Sequence, residues 1–164
     1  MTIELKDNGI LRRLQQAPQS VVNPAMNKFM NKAALMVLSK AKEKAPRAQG
    51  TLSGSINYKI RREGPFAVAT VGTNVKYAPY QEYGTGVYGP RGVPITPKNK
   101  RVLAWRTGSK SFMGMKYGGQ WHFAKSVKGV RPKKFMQSGL EFLQSRQQGL
   151  LNDLSADIKK GIEG

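Results

Sequence analysis

The chain contains no cysteine, so it forms no disulfide and offers no thiolate to a metal. A single histidine, His122, leaves no histidine pair for zinc or non-haem iron. No run of about eighteen apolar residues occurs, which predicts no membrane-spanning helix. The opening "MTIELKDNGILRRL" lacks an apolar core of signal-peptide type, so a soluble protein of a reducing compartment is expected. Acidic residues are scarce as well. Nine Asp and Glu face twenty-eight Lys and Arg, a net charge of +19. From Tyr83 to Leu140 there is no acid at all, while Arg91, Lys98, Lys100, Arg101, Arg106, Lys110, Lys116, Lys125, Lys128, Arg131, Lys133 and Lys134 fall inside that stretch. An imbalance of this kind calls for a polyanionic neighbour, whether nucleic acid, an acidic protein or a membrane face.

What remains is enough for one domain with a buried core at 164 residues. Met26, Phe29, Met30, Ala33, Ala34, Val37, Leu38 and Ala41 recur at spacings of three and four and predict a helix over 24–45, capped by Asn23, opened by Pro24 and stopped by Pro46. Leu52, Ile56, Tyr58 and Ile60 alternate with polar residues, "EGP" breaks the run, and "FAVATVG" resumes it, which predicts an antiparallel hairpin. Residues 84–100 and 107–120 read as long loops, with "RVLAW" and "WHFAKSV" as strands beside the second. A closing helix begins near Pro132 or Lys133 and carries Met136, Leu140, Leu143, Leu151, Leu154 and Ile158, weakened by Gly139 and Gly149. The expected fold is α+β: an antiparallel sheet of about four strands packed against two long helices, with long basic Gly/Pro-rich loops. Its divisions fall at 1–22 (an N-terminal arm or short helix), 23–148 (the main domain) and 149–164 (a helical extension).

Motifs for chemistry are few. A Ser-His-acid triad has only His122 to use, in a strand with no acid beside it. "GTGVYGPRG" fits neither the phosphate-loop nor the dinucleotide pattern. No cofactor, metal or catalytic residue is expected. The stretch that stands out is "YAPYQEYGTG", in which Tyr77, Tyr80 and Tyr83 surround Glu82, the only acid between Glu63 and Glu141. Pro79 suits the first turn of a short helix and Gly84 its left-handed end. Tyr77, Tyr80, Glu82, Tyr83 and Thr85 then form either a contact between copies or an internal plug at the end of the sheet. Base stacking on the tyrosines is compatible with the spacing, whereas base-specific reading has no support.

Several of these stretches resemble one family. "KAPRAQGTLSGSI" is similar to the helix end and Thr-Gly-x-Leu-x-x-Ser-Ile run of phage head–tail joining proteins, with Gly50 and Thr51 in swapped order. "VGTNVKYAPYQEYGTG" resembles their central motif, and "ITPKNKRVLAW" and "HFAKSVKGVRPKKFMQSGLE" their later strands and closing helix. The likeness covers residues 24–148. These are neck or tail-completion (minor tail) proteins of long-tailed double-stranded DNA phages. The resemblance implies a non-enzymatic virion protein forming a closed six-fold ring in the head–tail connector. Its partners would be further copies of itself, a head-closure or portal-side connector protein, a tail terminator or tube protein, and the DNA passing through the channel, with no membrane involved. Arg91, Lys98, Lys100, Arg101, Lys110 and Lys116 would then face either that DNA or acidic protein rings above and below. The other readings are a sequence-independent nucleic-acid-binding protein and a small basic ribonuclease.

Overall fold

A computed structural model describes residues 16–46, 51–63, 66–107, 110–112 and 115–163. Residues 1–15 of the expected N-terminal arm, the Gly-Pro of the expected break at 64–65 and the Gly50 of the joining-protein motif lie outside the described residues. The elements run α1 (Gln19–Lys44), α2 (Thr51–Ser55), β1 (Asn57–Glu63), β2 (Phe66–Gly72), α3 (Ala78–Tyr83), β3 (Leu103–Thr107), β4 (Lys110–Phe112), β5 (Met115–Tyr117), β6 (Gln120–Ala124) and α4 (Phe135–Glu163). The chain divides into two compact units, one of Met1–Ala78 with Lys134–Gly164, the other Pro79–Lys133.

The first unit is built on α1 and α4, which at 1.5 Å per residue are about 39 and 43 Å long. They run antiparallel. Gly139 meets Val37 near one end, Gly161 meets Val21 near the other, and Lys28 pairs with Asp157 between them at 2.8 Å. Small residues permit the approach: α1 buries Ala25, Ala33, Ala34, Val37 and Ala41 against an α4 stripe that includes Gly139, Leu150, Leu151, Leu154 and Ile158. The β1–β2 hairpin lies on α1, with Asn57 opposite Gly72 and Glu63 opposite Phe66. One core cluster joins Ala41, Ala45, Leu52, Ile56, Ala78 and Phe135; a second joins Ala17, Ala25, Leu154 and Ile158.

Three expectations need correction here. Helix α1 starts at Gln19 with Pro18 as its N-cap residue, so Asn23 is not the cap and Pro24 lies inside the helix. The added turn is fastened by the Val21 and Val22 amides, which donate to the Pro18 carbonyl at 2.9 and 3.0 Å, and by Val22 packing on the second cluster. Burial on α4 thus outweighs the local start signal at Asn23 and Pro24. Thr51–Ser55 is a helical turn and not the beginning of a strand. Leu52 and Ile56 are four apart, a spacing that suits one helix face as well as one strand face, and both are buried. The closing helix begins at Phe135, two or three residues later than expected, because the Lys133 amide is held by the Gln81 carbonyl at 2.7 Å and Lys134 turns at φ 50°. Once begun, α4 runs unbroken through Gly149 to Glu163.

In the second unit β3 pairs with β6 and β4 with β5, both antiparallel. The two ladders share one register: stepping inward from Leu103↔Ala124 to Thr107↔Gln120 leads on to Lys110↔Tyr117 and Phe112↔Met115. Much of 107–120 is therefore paired strand, where the sequence reads as loop. The α+β class stands, but the single sheet of about four strands does not: the described residues form separate two-stranded ladders. The reason lies in what covers them. The β1–β2 hairpin rests on α1, whereas β3 and β6 are largely exposed.

Candidate functional site

The second unit is organised around a chain segment that receives the "YAPYQEYGTG" turn. The Lys133 amide donates to the Gln81 carbonyl, the Thr85 amide to the Val130 carbonyl at 2.9 Å, and the Val87 amide to the Lys128 carbonyl at 2.8 Å. Further along, Ile95 and Val127 exchange both amide bonds at 2.9 and 3.0 Å. Residues 127–133 thereby brace the turn, so two stretches far apart in the sequence meet in space. Gly84 ends α3 in the left-handed region at φ 78°, as its position predicts. Gly129 (φ 91°) crosses so near that a Cβ there would stand 2.2 Å from the Thr85 carbonyl oxygen. Only glycine fits that crossing.

On this base α3, with Tyr77 just before it, separates side chains by exposure. Tyr77, Tyr80 and Tyr83 are 42%, 60% and 65% exposed, while Glu82 is 8% exposed. Glu82 takes part in an interaction within the chain, and among the described residues no buried side-chain polar atom lacks a hydrogen-bond partner. Thr85 is also engaged inside, its hydroxyl accepting from the Val130 amide at 2.9 Å. The tyrosines are exposed, the state in which tyrosine serves as an interface residue.

Beside α3 opens a groove of about 680 Å³, lined among others by Tyr80, Tyr83, Thr85, Arg91, Val93, Ile95 and Lys98. It unites members of two groups that the sequence keeps apart, the aromatic turn and the basic stretch after it. Lys100 and Arg101 lie outside its lining, exposed on the approach to β3. Lys110 sits on β4 opposite Tyr117, and Lys116 on β5 opposite Ser111, with their side chains outside the described residues. Arg131 lies over the Tyr88 ring at 5.2 Å. Eleven Lys and Arg and one acid, Glu82, fall within Pro79–Lys133.

His122 is a strand residue with a structural setting. It stacks on Trp105 at 5.5 Å, and its Nε2 is hydrogen-bonded to the Thr107 hydroxyl at 2.7 Å. Among the described residues no group of acids and histidines is placed to hold a metal ion, and no helix is long and apolar enough to cross a membrane. Sequence reasoning passes over one cluster, formed by Arg106, Trp121 and Phe123 on the β3–β6 ladder. Its signal is the alternation in "QWHFA", which puts Trp121 and Phe123 on one face.

A family model described as "Bacteriophage HK97-gp10, putative tail-component" matches residues 8–84. The matched stretch takes in α1, the β1–β2 hairpin and α3, and it includes Pro79, Tyr80, Tyr83 and Gly84 of the groove but none of the groove's basic residues. Over that stretch the chain is similar to a phage tail component. No curated protein and no solved structure matches the chain significantly.

Proposed function

From the similarity of residues 8–84 to a phage tail component, we propose that this chain is a ring-forming piece of the head–tail connector. In this reading it joins the head-closure complex to the tail and surrounds the channel through which DNA leaves. The observation that carries the proposal is the outward display of Tyr80 and Tyr83 on a short helix braced from behind. Exposed, rigidly mounted tyrosines bury well against a neighbouring copy, and a contact repeated head-to-tail closes a ring. Glu82 is buried beside them, and Thr85 fixes the turn that follows.

The basic groove supports the second half of the proposal. In a closed ring the charges of Arg91, Lys98, Lys100 and Arg101 are repeated around the axis and attract a polyanion. Diffuse phosphate contacts allow DNA to slide, whereas base contacts would arrest it. Sequence-independent binding of free nucleic acid by single copies is the alternative use of the same charge. The test is electron microscopy of particles from phage lacking this chain, with and without purified protein added back. Unjoined heads and tails that are repaired by the addition are expected. Intact, infectious particles without the chain would overturn the proposal.

A further inference from the structure

The β3–β6 ladder carries an aromatic cluster with no role in the ring contact or the groove. Its register sets Arg106 opposite Trp121 and Ala104 opposite Phe123, so these four residues share one face. The Trp121 and Phe123 rings stand 6.3 Å apart with 20° between their planes. The Arg106 guanidinium lies 5.7 Å over Trp121 and is steadied by donating from Nε to the Gly119 carbonyl at 3.3 Å. The cluster is thus ordered, yet Trp121 is 57% and Phe123 66% exposed. Two large rings held side by side in water, with an arginine over one, are the residue types that dominate protein–protein contacts. A two-stranded ladder is also marginal in water until something covers it.

We propose that this face of Arg106, Trp121 and Phe123 docks on an acidic protein surface bearing apolar side chains, presented by another component of the virion. The inference rests on the virion reading above and adds a partner to it. Charge selects that partner. The unit holds eleven basic residues and a single acid, Glu82, which is buried. A second copy of this chain is a poor occupant. Its acids Glu43, Asp153, Asp157 and Glu163 on α1 and α4 are already paired with lysines of their own chain, so it offers this face no acidic surface. Duplex DNA is a poor occupant as well, because its bases are stacked inward and an aromatic pair gains nothing from phosphates. An acidic surface with apolar side chains meets both needs: it neutralises the basic surroundings and covers the rings.

The full-length chain carrying the photoreactive change Phe123→p-benzoylphenylalanine is supplied to phage lacking the chain, and assembled particles are irradiated. Mass spectrometry should find the adduct on a segment of a different virion protein in which Asp and Glu outnumber Lys and Arg. Adducts only to DNA, only to a second copy of this chain, or none in particles that contain the chain would each overturn the proposal while leaving the virion reading intact. Particles assembled without the chain would overturn both. In parallel, Trp121→Ala with Phe123→Ala should leave the circular dichroism spectrum unchanged and lower infectious titre at least tenfold; an unchanged titre would count against the docking face.

Discussion

Thr85 and Val130, 45 residues apart, hold each other by two hydrogen bonds: the Thr85 amide donates to the Val130 carbonyl at 2.9 Å, and the Val130 amide donates to the Thr85 hydroxyl at 2.9 Å. One residue thus supplies both a backbone donor and a side-chain acceptor to the segment behind the tyrosine turn. Replacing Thr85 by Val keeps the shape and removes the acceptor, which costs about 1 kcal/mol, the typical net worth of such a bond. Thr85→Ser retains the hydroxyl and should lie near the parent protein. Urea unfolding of the two variants checks this; equal midpoints for Val and Ser would mean that the side-chain bond contributes nothing.

The two helical glycines of α4 should respond to alanine with opposite signs. At Gly149 nothing lies within 4 Å of a new Cβ, so Gly149→Ala gains helix propensity, roughly 0.8–1 kcal/mol. At Gly139 the same atom would stand 2.8 Å from the Val37 carbonyl oxygen, a backbone group that cannot swing aside. Gly139→Ala therefore pushes α1 and α4 apart and destabilises by about 1–3 kcal/mol, the usual range for overpacking. Thermal melts of both variants give the comparison, with a rise expected for the first and a fall for the second.

Tyr80 and Tyr83 are exposed and Glu82 beside them is buried, which separates assembly from folding. Tyr80→Ala with Tyr83→Ala should change monomer stability by no more than about 0.5 kcal/mol, as for ordinary surface positions. The same double variant should abolish ring formation in sedimentation on the partner complex. Glu82→Gln should lower the melting temperature of the monomer as well as weaken assembly. Rings formed at parental levels by the tyrosine variant would remove α3 from the contact.

Charge reversal at Lys98, Lys100 and Lys110 should leave the melting temperature near that of the parent protein. Lys98 and Lys100 are exposed, and Lys110 lies on a short ladder that belongs to neither core cluster. Phage carrying all three reversals should join heads to tails poorly or retain their DNA. Normal infectivity of that phage would eliminate the basic stretch from the joining role.

Several elements are legible in the sequence because they depend on near neighbours. The apolar stripe from Met26 to Ala41 lies within α1, and the run "FAVATVG" forms β2. "RVLAW" and "WHFA" pair as β3 and β6. Pro79 and Gly84 frame α3, each for its own backbone reason. Other features depend on partners far along the chain. Leu52 and Ile56 fit either a helix or a strand until the core holding Ala41, Ala78 and Phe135 closes over them. The extra turn before Asn23 exists because Val22 finds α4's cluster. The pairing across 107–120 arises because the register of β3 and β6 carries inward, which outweighs a composition rich in glycine, serine and lysine.

By itself the sequence determined the basic charge, the lack of thiol chemistry, the long helices and the spacing of the tyrosines, since these are properties of composition and local periodicity. Tertiary structure alone decided that Glu82 turns inward while its tyrosine neighbours turn out, and that Tyr80, Tyr83, Arg91 and Lys98 line one groove. It also decided that Arg106, Trp121 and Phe123 gather on an uncovered face. Which side of a turn is buried, and which residues meet across a ladder, are set by hydrogen bonds such as Lys133 to Gln81 and Val130 to Thr85. Those bonds close loops of some fifty residues, and no local pattern encodes their ends.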